Sequence, residues 1–125
     1  VYNLRGKLKG EYIYPNSKLA YISYTQGGVS LLFEDDLING QNTLVVLNKN
    51  GKQVYLSQMS GNFTDMEMYG SYVFLLTNNG ICKFNSKTKI TTFKESTDTF
   101  GELLVCSKDK VLLCTDSRGI YFDME

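Results

Sequence analysis

Any chemistry in this chain has to come from carboxylates, lysines, tyrosines or thiols, because it contains no histidine. That removes Ser-His-Asp and Cys-His nucleophilic sites, histidine-ligated zinc and the usual proton shuttle. Two acidic groupings remain. Asp65 and Glu67 fall in one strand-like stretch, "FTDMEMY", and would suit a lyase or hydrolase built on carboxylates or tyrosine. The second grouping is "FEDDLINGQN", Phe33 to Asn42, where Glu34, Asp35 and Asp36 stand beside Leu37, Ile38 and Asn39. Acidic and apolar side chains together in a loop on a rigid scaffold suit a partner-binding surface, while an ordinary elongated hairpin is the plainer alternative. A calcium loop is a poorer fit, since Asp-Asp-Leu-Ile-Asn-Gly lacks the alternating oxygen ligands and terminal Glu of an EF-hand. The residues imply no metal and no cofactor.

The three cysteines, Cys82, Cys106 and Cys114, raise the question of a disulfide. A hairpin turning at Lys108-Asp109 would set Cys106 opposite Val111 and Cys114 opposite Leu103, and Leu103 and Cys106 lie on opposite faces of their strand. The expectation is three free thiols packed as small apolar fillers, unless a bulge shifts the register. Asn62-Phe63-Thr64 has the form of an N-glycosylation sequon, which matters only in a secreted eukaryotic protein. The tyrosines, among them Tyr12, Tyr14, Tyr21 and Tyr24, suit an aromatic platform or, more economically, packing between sheets.

Charge narrows the partners. Lys plus Arg equals Asp plus Glu, and Arg5 and Arg118 are the only arginines, so the basic field and bidentate contacts of a nucleic-acid binder are missing. The apolar runs are a handful of residues, well below the roughly 20 that span a bilayer as a helix. This segment is therefore expected to bind no nucleic acid and to insert in no membrane.

These residues must be held by strands. In "LVVLNKNGKQVYLSQ", Leu44 to Gln58, β-favouring residues flank Asn48-Lys49-Asn50-Gly51, and Asn-Gly tolerates the positive φ of a primed hairpin turn. "GICKFNSKTKITTFKES", Gly80 to Ser96, has the same grammar, "VYNLRGKLKGEYIYPN", Val1 to Asn16, is a degenerate version, and "GIYFDME" resembles its first half. A second hairpin precedes each later copy: "KLAYISYTQGGVSLLFEDD", "FTDMEMYGSYVFLLTNNG" and "GELLVCSKDKVLLCTDSRG". Stepping from Leu31 to Leu75 to Leu112 gives a period of about 40 residues, the length of a four-stranded propeller blade.

The expected fold is thus all-β: antiparallel four-stranded β-propeller blades, about three of them, forming an incomplete propeller, with an antiparallel β-sandwich as the alternative. Approximate blades are 1–16 (partial), 17–61, 62–99 and 100–125 (partial), within a single propeller-like domain or fragment spanning 1–125. Inner strands such as "YVFLL" and "KVLLC" should lose both faces to packing, while "QVYLSQ" and "ITTFKES" keep a wet side. Closed propellers need about four to eight blades, so this chain is expected to be part of something longer. Isolated, its end blades would self-associate or leave it unstable, because large contiguous apolar patches are rarely left exposed.

The succession of an apolar strand, an Asn or Asp turn, "GICKFN" or "TLVVLN", then a polar turn and a short strand resembles the quinoprotein-like (PQQ-like) β-propeller repeat family. It is also similar to the propeller regions of uncharacterised membrane-anchored bacterial proteins. The quinoprotein blade carries a docking Trp, and this chain has none, so the resemblance extends to fold and generic role and not to quinone binding. It implies a non-catalytic binding or scaffold module for a protein or small ligand, placed extracytoplasmically at a bacterial cell surface, with the cytoplasm as the alternative. The contrasting class is the carboxylate- or Tyr-based lyase or hydrolase acting at a propeller channel. Such an enzyme would repeat acidic groups in every innermost strand, whereas Asp65 and Glu67 are matched by Tyr21 and Ser23 and by Leu104 and Cys106.

Overall fold

A computed structural model of the chain describes residues 12–13, 18–35, 37–38, 40–95 and 101–124, the side chains of Leu104 and Cys106 excepted. All the regular structure in it is strand. The strands are β1 (Lys18–Thr25), β2 (Gly28–Glu34), β3 (Gln41–Asn48), β4 (Gln53–Ser60), β5 (Phe63–Tyr69), β6 (Tyr72–Thr77), β7 (Gly80–Asn85), β8 (Thr91–Glu95), β9 (Glu102–Ser107), β10 (Lys110–Cys114) and β11 (Gly119–Asp123). They form three antiparallel sheets, each in sequence order: β1-β2-β3-β4, β5-β6-β7-β8 and β9-β10-β11. Within each sheet neighbours in sequence pair, and among the described residues no connection takes the long return of a Greek key. The chain divides into two compact units, Val1–Ser60 and Gly61–Glu125.

Burial follows strand position. In the first sheet Leu31 and Phe33 of β2 and Val45 and Leu47 of β3 form one core, with Tyr12, Leu19 and Val29 packed against it. Leu32, Leu44 and Val46, on the other face of the same strands, are buried too. In the second unit Phe74, Leu76 and Ile81 share a core with Leu103, Val111, Leu113 and Met124, and Tyr72, Val105, Ile120 and Phe122 pack at its margin. The outermost strands stay wet: every residue of β8 is exposed, and β4 alternates. Middle strands buried on both faces explain why "YVFLL" reads as a continuous apolar run.

The repeat is marked by hydrogen bonds as well as by leucines. Ser86 N–H donates to Ser71 O at 2.9 Å, and one repeat later Met124 N–H donates to Asp109 O at 2.6 Å. This alignment puts Leu113, fully buried, in the place of Leu75, so the step from Leu75 to Leu112 is one residue short. Asn48 and Asn85 match in the same way. Asn48 Oδ1 accepts from the N–H groups of Asn50 and Lys52, and Asn85 Oδ1 from those of Lys87 and Thr88, so each Asn opens the turn into a fourth strand.

Two local expectations are corrected. The turn after Asn48 is not a primed two-residue turn: Gly51 N–H bonds back to Asn48 O at 2.9 Å, and Gly51 is its left-handed residue, at φ 79°. This is the geometry of a turn followed by a glycine bulge, and the β3–β4 register shifts beside it, between Val46 and Leu47. In the last hairpin a bulge removes Cys106 from the pairing, since Lys110 pairs with Ser107 but Val111 with Val105. Cys114 therefore lies opposite Glu102, and Leu103 opposite Leu113, in place of the expected Cys114–Leu103 and Cys106–Val111 pairs.

Candidate functional site

The stretch from Phe33 to Asn42 begins as strand and ends as strand. Glu34 closes β2, exposed, and pairs across the sheet with Lys18 and Asn42. Between them the backbone closes a small loop: Asp35 N–H donates to Gln41 O at 2.9 Å, and Gln41 N–H to Ile38 O at 3.3 Å. Asp35 ties the interior, its Oδ1 accepting from Leu37 N–H at 2.8 Å and Ile38 N–H at 3.0 Å. The acidic side chain thus satisfies backbone donors that a short turn leaves orphaned. The two apolar residues it holds face water, Leu37 94% exposed and Ile38 55%. Asp36 and Asn39 lie outside the described residues. Of the six candidate residues, the structure brings Asp35, Leu37 and Ile38 together in one loop and leaves Glu34 at the strand end below it.

The other acidic grouping does something else. Asp65 and Glu67 lie on β5, the first strand of its sheet, with side chains turned toward β9, the first strand of the next. Asp65 Oδ2 accepts from Leu103 N–H at 2.8 Å, and its Oδ1 from Met66 N–H at 2.8 Å. Glu67 Oε1 accepts from Val105 N–H at 3.4 Å. Leu103 and Val105 are edge-strand residues whose amides would otherwise invite pairing with another chain. Burial pushes the Glu67 carboxyl above its usual range; the Val105 amide pulls it back, and the charge of Asp65 adds to the rise.

Strand pairing also corrects which residues match these two. Asp65 pairs with Leu76, Tyr21 with Leu32 and Glu102 with Cys114, so the counterparts in β9 are Glu102 and Leu104 instead of Leu104 and Cys106.

Sequence reasoning missed the ion pair of the second unit. Lys83 Nζ lies 2.6 Å from Asp109 Oδ1 and 4.7 Å from the centre of the Tyr72 ring, with both charged side chains largely buried. It links β7 to the β9–β10 turn. The available signal was the lone Lys in the otherwise apolar "GICKF", since a charge in an inner strand needs a partner. Cys82 and Cys114 are free thiols; the side chain of Cys106 lies outside the described residues. Burial pushes the Cys82 thiol up. Among the described residues no three His, Cys, Asp or Glu side chains cluster as metal ligands, and no helix is long and apolar enough to cross a membrane.

Against known proteins, a family model described as a family of unknown function, DUF5711, matches residues 2–120, nearly the full length. The chain belongs to that family. No curated protein matches it. This DUF5711 chain presents an apolar loop tip tied by Asp35, and two carboxylates engaged on the edge of a strand.

Proposed function

We propose that the chain is a non-catalytic binding or scaffold module of β-propeller type that engages a protein partner through the loop from Asp35 to Gln41. The observation that carries this reading is Leu37, 94% exposed at the tip of a loop tied from within by Asp35. An exposed leucine on an untied loop would carry little weight, but here side-chain and backbone bonds tie Asp35 to Leu37, Ile38 and Gln41, which lowers the entropy cost of binding. Engagement of Asp65 and Glu67 with backbone amides favours this reading over a carboxylate lyase or hydrolase. The resemblance of the repeat to quinoprotein-like blades supports the propeller arrangement, and its similarity to the propeller regions of uncharacterised membrane-anchored bacterial proteins supports a place outside the cytoplasmic membrane.

The test is a photo-crosslinking residue placed at Leu37 in the native host. One discrete protein adduct is expected, abolished by Asp35→Ala, which unties the loop. The reading fails if no adduct forms, or if the same adduct forms from the exposed control position Val54. Protease accessibility of the chain in intact cells tests its compartment separately: cleavage without lysis is expected, and protection until lysis would place the module in the cytoplasm.

A further inference from the structure

The second sheet meets the third through a face with three components. Apolar side chains, Phe74, Leu76 and Ile81, fill its middle. The carboxylates of Asp65 and Glu67 reach the edge amides of β9, and Lys83 pairs with Asp109. Strand pairing defines two rows of this face, Asp65–Leu76–Ile81 and Glu67–Phe74–Lys83. One repeat later the same rows fall on the far face of the third sheet, as Glu102–Cys114–Gly119 and Leu112–Tyr121.

That far face is open. Glu102 and Cys114 are exposed and Tyr121 is 61% exposed, whereas Leu103, Val111 and Leu113 on the reverse side are buried. It keeps a carboxylate at the position of Asp65 and an apolar residue, Leu112, at the position of Phe74. Asp123 stands where Asn48 and Asn85 open the turn to a fourth strand. A face with this composition matches a surface of the kind the third sheet itself presents to the second: apolar rows flanked by two outward edge amides.

We propose that the far face of the third sheet is the docking surface for a further sheet of the same repeat, and that Glu102 docks it by accepting a hydrogen bond from the first strand of that sheet. A second copy of this chain is a poorer occupant. The corresponding face of its first sheet, Leu31, Phe33, Val45 and Leu47, is already buried, with Tyr12, from outside that sheet, packed against it. The inference rests on the repeated-sheet part of the proposed function and is independent of the Asp35–Gln41 loop, so failure of either leaves the other standing.

A chain in which Ser86–Met124 is repeated directly after Asp123 supplies the third sheet with a copy of β8 and then with a copy of β9–β11. Nitration of Tyr121 by tetranitromethane, followed peptide by peptide, reports whether the face is covered, and a cooperative thermal transition reports folding. The expected result is nitration several-fold slower than in the 125-residue chain, at a rate independent of protein concentration. Glu102→Ala at the first position should return the rate toward that of the parent, whereas Glu102→Gln, which keeps an acceptor oxygen, should not. Unchanged nitration, protection indifferent to Glu102→Ala, or a repeated chain without a cooperative transition would each overturn the proposal. Concentration-dependent protection of Tyr121 in the 125-residue chain would assign the face to a second copy.

Discussion

Asp65 holds Leu103 across two sheets: its Oδ2 accepts the Leu103 amide at 2.8 Å, from a strand with which β5 forms no ladder. The amide belongs to the edge of β9, where a free donor would otherwise need water or another chain. Asp65→Ala leaves that donor without its partner and should destabilise the second unit by about 1–3 kcal/mol. Asp65→Asn, which keeps an oxygen in place, should cost less. Urea unfolding of the three chains measures the difference, and equal midpoints for Asp65→Ala and the parent would contradict it.

Glu67 should behave oppositely. Burial raises its carboxyl pKa in the folded state, so the folded chain binds more protons than the unfolded chain between the two values. This contribution favours folding below the unfolded value and is lost as the pH rises through the folded one. Glu67→Gln keeps an acceptor for Val105 and removes the charge. Its melting temperature should therefore equal or exceed that of the parent at neutral pH, with the difference closing as the pH falls through the carboxylate range. A Gln variant markedly less stable at neutral pH would show that the charge itself is needed.

The two described thiols should separate by reactivity. Cys114 is exposed, whereas Cys82 is partly buried and its thiol pKa is raised, which lowers the reactive thiolate fraction. Alkylation of the folded chain with iodoacetamide at mildly alkaline pH should modify Cys114 first and Cys82 more slowly, with the two rates converging in denaturant. Equal rates in the folded chain would place Cys82 at the surface.

Leu37 should be nearly silent for folding. At 94% exposure it loses little surface to water on folding, so Leu37→Lys should change stability by no more than about 0.5 kcal/mol. Phe74→Ala, in the fully buried middle strand of the second sheet, should cost about 3–5 kcal/mol. Chemical unfolding of both separates a residue kept for contact from one kept for packing.

Strand existence and sheet order were legible because the chain repeats its own grammar. "VSLLF" and "YVFLL" carry apolar residues on both strand faces, and Asn48 and Asn85 announce their turns. Register was less legible, since a bulge leaves no compositional trace: nothing in "LLVCSKDK" says that Cys106 drops out of the ladder. The skipped residue moves the partner of Cys114 from Leu103 to Glu102, and so hid that Glu102 takes the place of Asp65. The exposed Leu37 and Ile38 could be read from their place beside three acidic residues in a loop, but the bonds of Asp35 to their amides could not, because they depend on loop closure by Gln41. Asp65 and Glu67 looked like candidate catalytic groups in sequence, since the amides they serve lie far along the chain.

The second and third sheets stack through an edge-capping carboxylate, and amide hydrogen exchange at Leu103 and Val105 reads that contact most directly. Both amides leave the outer edge of β9 and would exchange freely if nothing lay against it. With Asp65 and Glu67 in place, Leu103 should exchange slowly and Val105, with the longer 3.4 Å bond, somewhat faster. Asp65→Ala should release Leu103 while leaving the ladder amides between β10 and β11 protected. Fast exchange at Leu103 in the unaltered chain, or protection that survives Asp65→Ala, would contradict it.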